Sequence, residues 1–136
     1  MKIPSIVTNV VAAILGVLFL IFGLNFFLQF IPIPPAPEGS PAAQFLGAMY
    51  VSGFLALVKV LEILGGLLVA VPATRRLGLL VLGPVIANIV LFQIYFTGGA
   101  GLFAPPVVVI LLTSAFLLWA ERKAFAAFLF GSVESK

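Results

Sequence analysis

Residues 55–70 read LALVKVLEILGGLLVA. This stretch is informative about the fold because it is long and apolar, as in a membrane helix, and yet contains two charged side chains. Lys59 and Glu62 lie far from either end of the stretch. A charge at the centre of a bilayer costs ~2.5 to 3.5 kcal/mol on insertion scales, so an intramembrane pair is a candidate functional site. Their spacing of three residues puts both side chains on one helix face, where they can pair directly.

The composition around this stretch is typical of an integral membrane protein. The 136 residues are 63% hydrophobic and 8% charged, with a mean hydropathy of +1.33, whereas soluble domains are ~45 to 50% apolar and ~25% charged. The chain has no cysteine and no histidine. It therefore cannot form a disulfide, an iron–sulfur site or a histidine-ligated haem or zinc site, which argues against an enzyme with its own redox cofactor or metal.

The apolar stretches predict an all-α fold, a four-transmembrane-helix bundle with up-down-up-down order. We expect one integral membrane domain over residues 1–136. A proline-rich connector separates the first two helices, and a short turn makes the second and third antiparallel neighbours. The predicted helices cover about residues 6–31, 42–71, 77–96 and 103–120, with an interfacial helical extension at about 121–130.

The basic residues predict how the bundle is oriented. In a four-span topology, all of the seven Lys and Arg except Lys59 fall on one side of the membrane. By the positive-inside rule both termini are then cytoplasmic. Basic residues beside apolar ends indicate attraction to anionic lipids, so we expect membrane lipids and no nucleic acid among the partners. The residues on this side are Lys2, Arg75, Arg76, Arg122, Lys123 and Lys136.

Polar side chains on three predicted helices suggest a pocket at mid-membrane depth. The hypothesis is a ligand site formed by Asn25, Lys59, Glu62, Asn88 and Gln93, opening outward. Two plainer interpretations stay open. Lys59 and Glu62 can be a structural ion pair that fixes helix register, and buried amides can join helices at ~0.6 kcal/mol each.

Three segments carry a resemblance to a known family. Residues 22–25 read FGLN, residues 59–68 read KVLEILGGLL and residues 84–93 read PVIANIVLFQ. They resemble the DoxX-like family of four-helix membrane proteins, and the similarity covers nearly the whole chain. Where relatives often have a histidine, this chain has Gln93, which does not titrate near neutral pH.

The resemblance implies a context in the bacterial inner membrane. The family includes a membrane subunit associated with thiosulfate and quinone oxidation, a membrane component of oxidoreductase complexes that resist oxidative stress, and a chaperone for receptor assembly in animals. The leading interpretation is a non-catalytic or quinone-handling accessory subunit of a membrane redox assembly, with a bound quinone or lipid, protein partners and a homo-oligomer as expectations. The alternatives are a structural subunit or assembly factor of a membrane complex, and a small-solute carrier.

Overall fold

A computed structural model describes residues 3–131, and this part of the chain contains helices and no strands. Two short 3-10 turns, Pro72–Thr74 and Ala100–Phe103, stand before the fourth and fifth α-helices. The all-α prediction is confirmed. The α-helices are α1 (Ser5–Leu28), α2 (Pro41–Ser52), α3 (Phe54–Ala70), α4 (Arg75–Phe96), α5 (Pro105–Ala120) and α6 (Arg122–Phe130).

Two of the described helices are long and apolar enough to cross a membrane by themselves. These are α1 and the segment Pro72–Phe96, which joins the first 3-10 turn to α4. The segments α2 and α3 pass the same test only when they are taken together as one bent span, which raises the number of spans to three. Helix α5 is apolar but shorter, at 16 residues. The helices therefore indicate a membrane protein with two to three candidate spans.

The second predicted helix, at about 42–71, is broken in two. The axes of α2 and α3 differ by 84° at Gly53, whose φ of +84° lies in the left-handed region. Glycine adopts this conformation without steric cost, and it commonly ends a helix. The Ser52 hydroxyl also accepts a bond from the amide of Phe54 at 3.3 Å, which supports the start of α3. The continuous helix predicted here is therefore wrong.

The first helix ends earlier than predicted, at Leu28 instead of about residue 31. Gln29 follows with a φ of +54°. The chain then turns back so that the Asn25 side chain and the main chain of Ile31 bond to each other. Asn25 Nδ2 donates to the carbonyl of Ile31 at 3.0 Å, and the amide of Ile31 donates to Asn25 Oδ1 at 2.7 Å.

The core lies where α1, α3, α4 and α5 meet, and glycines bring the helix backbones close together. A methyl group at Gly16 of α1 would lie 2.6 Å from the carbonyl oxygen of Gly66 of α3. A methyl group at Gly78 of α4 would lie 2.5 Å from the amide nitrogen of Val69. Small residues are what allow such close helix contacts in membranes. The buried apolar residues around these contacts include Leu15, Phe19, Val69, Leu79, Leu82, Ile110 and Leu117.

The turn between α3 and α4 is closed by side chains that cap the end of α3. The Thr74 hydroxyl donates to the carbonyl of Leu68 at 2.7 Å, and Arg75 Nε donates to the carbonyl of Val69 at 3.0 Å. Arg75 is buried, at 4% exposure. Its guanidinium group therefore donates hydrogen bonds to carbonyls at the end of α3, and its positive charge is favourable there because this end of the helix dipole is negative.

The ends of α3 and α5 and the starts of α1, α4 and α6 lie together, and we call this end of the molecule the basic end. Arg76 Nε and Glu121 Oε1 are 2.7 Å apart, which joins α4 to the segment between α5 and α6. The predicted extension at about 121–130 is a separate helix, α6, which begins after Glu121. Lys2 and Lys136, which also entered the orientation prediction, lie outside the described residues.

Candidate functional site

Lys59 and Glu62 form an ion pair on the second turn and third turn of α3. Lys59 Nζ donates to Glu62 Oε1 at 3.3 Å, which is the pairing that their spacing predicts. The Glu62 side chain is 7% exposed and that of Lys59 is 23% exposed. The carboxylate is thus enclosed by protein, while part of the lysine side chain stays accessible to another molecule.

One cavity adjoins this pair on the side of α2, and we call it the α2-side cavity. It has a volume of about 140 Å³ and lies between α2, α3 and α4. Asn88 and Gln93 of α4 line it together with the ion pair, so four of the five predicted site residues meet here. The remaining lining is apolar or aromatic and includes Phe45, Met49, Val58 and Phe92.

A second cavity adjoins the pair on the side of α5, and we call it the α5-side cavity. Its volume is about 280 Å³, and α1, α3, α4 and α5 all contribute to its walls. Lys59, Glu62 and Gln93 line this cavity as well as the first. Its apolar wall includes Phe19, Phe22, Val107 and Ile110. The ion pair therefore has space on two sides, and both spaces are mostly apolar.

The sequence did not predict the aromatic wall of the α2-side cavity, which is formed by Phe45 and Phe92 with Phe96 packed against both rings. The rings of Phe45 and Phe96 stack with centres 5.0 Å apart, and those of Phe92 and Phe96 stack at 5.3 Å. Phe45 reaches α4 because the chain bends at Gly53 and lays α2 beside it. The sequence signal was the Ser52-Gly53 dipeptide, a common turn mark, followed by aromatic residues one helical turn apart on α4.

The two polar residues that α4 contributes have different surroundings. Gln93 is held by its own helix end, since its Oε1 accepts a bond from the Thr97 hydroxyl at 2.9 Å. The Asn88 side chain is exposed at the edge of the α2-side cavity, and it makes no hydrogen bond to any described residue. Its amide is therefore free to bind a molecule in the cavity, or a neighbouring helix.

Asn25 does not join the other four predicted residues. It lines a separate depression with Gln29 and Ile31 at the end of α1. Both polar atoms of its side chain are already bonded to Ile31. The sequence hypothesis placed Asn25 in the pocket because polar side chains on three predicted helices were expected to meet at one depth. In the structure, Asn25 stabilises the turn that follows the helix.

The chemistry available at the pair is hydrogen bonding and charge. A lysine ammonium has three donors, and Glu62 uses one of them, so two remain for a carbonyl or phosphate oxygen. The described residues contain no group of three or more His, Cys, Asp or Glu side chains that can hold a metal ion. The site can therefore bind and orient a polar group within an apolar setting.

Comparisons with known proteins do not assign this chain to a family. No family model, no curated protein and no solved structure matches it. The DoxX-like resemblance of residues 22–25, 59–68 and 84–93 therefore stays a prediction, and the geometry around Lys59 and Glu62 carries the functional argument.

Proposed function

We propose that this chain is a four-span protein of a bacterial inner membrane, with both termini cytoplasmic, in which α2 and α3 make one broken crossing. Helix α5 is the fourth crossing. At ~1.5 Å per residue its 16 residues span about 24 Å, a little less than the ~30 Å hydrocarbon core. A bilayer accommodates a short span by thinning and by basic residues that reach the interface. A reporter fused after Lys136 that gives a periplasmic signal would refute this topology.

We further propose that the protein binds the polar ring or head group of an amphipathic molecule, a quinone or a lipid, beside Lys59 and Glu62. The observation that carries this proposal is the position of the ion pair between two mostly apolar cavities of about 140 and 280 Å³. Pockets for drug-sized ligands measure ~300 to 1,000 Å³. These volumes suit a single ring or head group, whose tail would extend along the lipid-facing surface.

The residues around the pair fit the chemistry of a quinone ring. A quinone carbonyl accepts hydrogen bonds, and the two remaining donors of Lys59 and the amide of Asn88 can supply them. Phe45 and Phe92 offer aromatic faces for offset stacking, which is worth ~0.5 to 1.5 kcal/mol per pair. With no cysteine and no histidine in the chain, the protein would hold the ligand for a partner that transfers the electrons. This role is the quinone-handling accessory subunit that the DoxX-like resemblance implies.

A second function, a structural subunit or assembly factor, is favoured by one observation. Lys59 is paired with Glu62 on its own helix, and a methyl group at Gly23 of α1 would lie only 3.1 Å from the Lys59 carbonyl. The pair thus sits where α1 and α3 are in close contact. An ion pair at such a contact can fix helix register without binding any ligand.

A paired substitution separates the two functions. Replacing a buried ion pair by apolar residues is often neutral or stabilising by ~1 to 4 kcal/mol, so the double variant Lys59→Met, Glu62→Leu should still fold. The control is Leu64→Met, on the exposed side of the same helix. Gently purified proteins are compared by mass spectrometry for bound quinone and lipid, and by melting temperature.

We expect the wild type and the Leu64→Met control to retain a quinone or a lipid at near one equivalent. The double variant should retain at least about tenfold less, because hydrogen bonds to a charged group are worth ~1.5 to 3 kcal/mol. If the wild type carries no such ligand, and the double variant still forms its partner complex at normal abundance, the structural function replaces this proposal.

A further inference from the structure

The basic end of the molecule contains a cavity that is distinct from the Lys59 site. Its volume is about 330 Å³, and it lies between the start of α1, the start of α4 and the junction of α5 and α6. Thr8, Arg76, Arg122 and Lys123 line it with Glu121. This cavity wall is mostly polar, since it brings together three cations and one carboxylate.

The charges in this cavity favour an anion. The lining carries three positive charges and one negative charge, a balance of +2. Arg76 is engaged with Glu121 at 2.7 Å. Arg122 and Lys123 make no ion pair with any carboxylate of the described residues. Phosphate oxygens are acceptors that suit both a planar guanidinium and an ammonium group.

Arg122 is also held in position before any ligand binds. Its guanidinium carbon lies 4.0 Å from the centre of the Trp119 ring, and Nη1 donates to the Trp119 carbonyl at 2.8 Å. A stacked arginine loses less conformational freedom when it binds an anion than a free one does. The cavity thus has a fixed donor group as well as a net charge.

Apolar surfaces beside the cavity indicate that the anion belongs to a lipid. A shallow apolar cavity of about 220 Å³ follows the start of α1 and is lined only by Ile6, Val7, Val10 and Val11. These residues flank Thr8, which lines the basic cavity. Farther along α6, which begins next to the cavity, Phe128 and Phe130 are 70% and 82% exposed. A free phosphate ion needs none of these surfaces, whereas the acyl chains of a phospholipid do.

We propose that this cavity binds the phosphate group of an anionic phospholipid, with an acyl chain along Ile6, Val7, Val10 and Val11 of α1. The binding rests on the membrane placement proposed above but does not depend on any ligand at Lys59. Loss of quinone binding would leave it untouched. Retention of anionic lipid in the Lys59→Met, Glu62→Leu variant is therefore expected.

The test is competition between two lipids for the purified protein. The protein is delipidated in mild detergent and mixed with equal amounts of phosphatidylglycerol and phosphatidylcholine, and bound lipids are counted by native mass spectrometry. We expect phosphatidylglycerol to be preferred. Arg122→Gln should weaken that preference about fivefold, since each basic residue near an anionic surface contributes about that factor in affinity.

Two further variants separate a built site from general attraction between charges. Arg122→Lys keeps the charge but loses the planar group, and Trp119→Leu keeps every charge but removes the stacking surface. Both should weaken the preference at least twofold, and melting temperatures verify that each variant folds. The proposal is overturned if neither variant changes the preference, if phosphatidylcholine binds equally well, or if millimolar inorganic phosphate displaces the lipid, which would indicate a free-phosphate site.

Discussion

The half of the bundle near the basic end and the half around Lys59 are built from the same helices but are filled in different ways. Toward the basic end, α3 meets α1 at Gly16 and Gly66 and meets α4 at Gly78 and Val69, with almost no space between the backbones. Around Lys59 and Glu62, two cavities remain beside α3. Small residues permit close packing in the first half, whereas the second half leaves space on two sides of the ion pair.

This difference suggests how the molecule divides its roles. Lipid chains are as apolar as the helices, so close packing and polar contacts, not hydrophobic burial, hold membrane helices together. The glycine contacts near the basic end supply that packing. The half around Lys59 has a close contact of this kind at Gly23 of α1, but it also leaves space beside α3 that can hold a ligand. Matched substitutions in the two halves test the comparison.

The largest expected effect is at Gly78. A leucine there has no room, because even its first side-chain carbon would lie 2.5 Å from the amide nitrogen of Val69. We expect Gly78→Leu to lower the free energy of unfolding by about 3 kcal/mol or more, at the upper end of the range for overpacked sites. Unfolding in mixed detergent micelles measures the change.

The control for this prediction is Gly83→Leu on the same helix. A methyl group at Gly83 meets no atom within 4 Å, and leucine favours helix over glycine by up to about 1 kcal/mol. The control should therefore be neutral or slightly stabilising. Equal losses in the two variants would show that α3 and α4 are not in close contact at Gly78.

A smaller effect is expected when the ion pair is broken. In Glu62→Gln the Lys59 ammonium loses its charged partner. We expect a loss of about 1.5 to 3 kcal/mol, typical of bonds to charged groups, and less than the ~3 to 5 kcal/mol for a fully buried pair. The reason is that the Lys59 side chain keeps 23% exposure.

The apolar double variant Lys59→Met, Glu62→Leu is the matched control for this loss. It removes both charges together, so it should recover most of the stability that Glu62→Gln loses. An unchanged melting temperature for Glu62→Gln would mean that Lys59 does not need a charged partner. The ion pair would then make no contribution to the stability of the half around Lys59.

The sequence predicts the helices and the ion pair because both depend on local spacing. Apolar stretches mark the helices, and a separation of three residues brings Lys59 and Glu62 together whatever the rest of the fold does. The bend at Gly53 is not predicted, because the apolar residues before and after it indicate one continuous helix and the Ser52-Gly53 turn signal is short. A continuous second helix would not place Phe45 beside α4, so the sequence does not predict the aromatic wall of the α2-side cavity.

The hydrogen-bond partners of polar residues at helix ends are the other feature that the sequence does not predict. From the sequence, Asn25 is interpreted as a pocket residue because it is polar, and Arg75 as a residue that attracts anionic lipids because it is basic. Both are engaged by backbone groups of a neighbouring turn, Asn25 by Ile31 and Arg75 by Val69. Hydropathy contains no information on where a chain reverses after a helix, so these partners become visible only in three dimensions.

The smallest expected effect compares two threonines at the opposite ends of α4. Thr74 Oγ1 donates to the Leu68 carbonyl at 2.7 Å and so ties the turn to the end of α3. The single Thr97 hydroxyl proton is shared between the Gln93 carbonyl at 2.7 Å and Gln93 Oε1 at 2.9 Å, both within its own exposed helix end. Valine has nearly the same shape as threonine and lacks the hydroxyl, so each substitution removes the hydrogen bonds of that hydroxyl with little change in packing.

We expect Thr74→Val to cost about 1 kcal/mol of unfolding free energy, the usual net value of one hydrogen bond. Thr97→Val should cost less than about 0.5 kcal/mol, because water can replace an exposed bond. The same unfolding assay compares them. If Thr97→Val is the more damaging of the two, the end of α4 next to Gln93 is the more rigid one, and the assignment of stability to the basic end and of ligand space to the half around Lys59 is reversed.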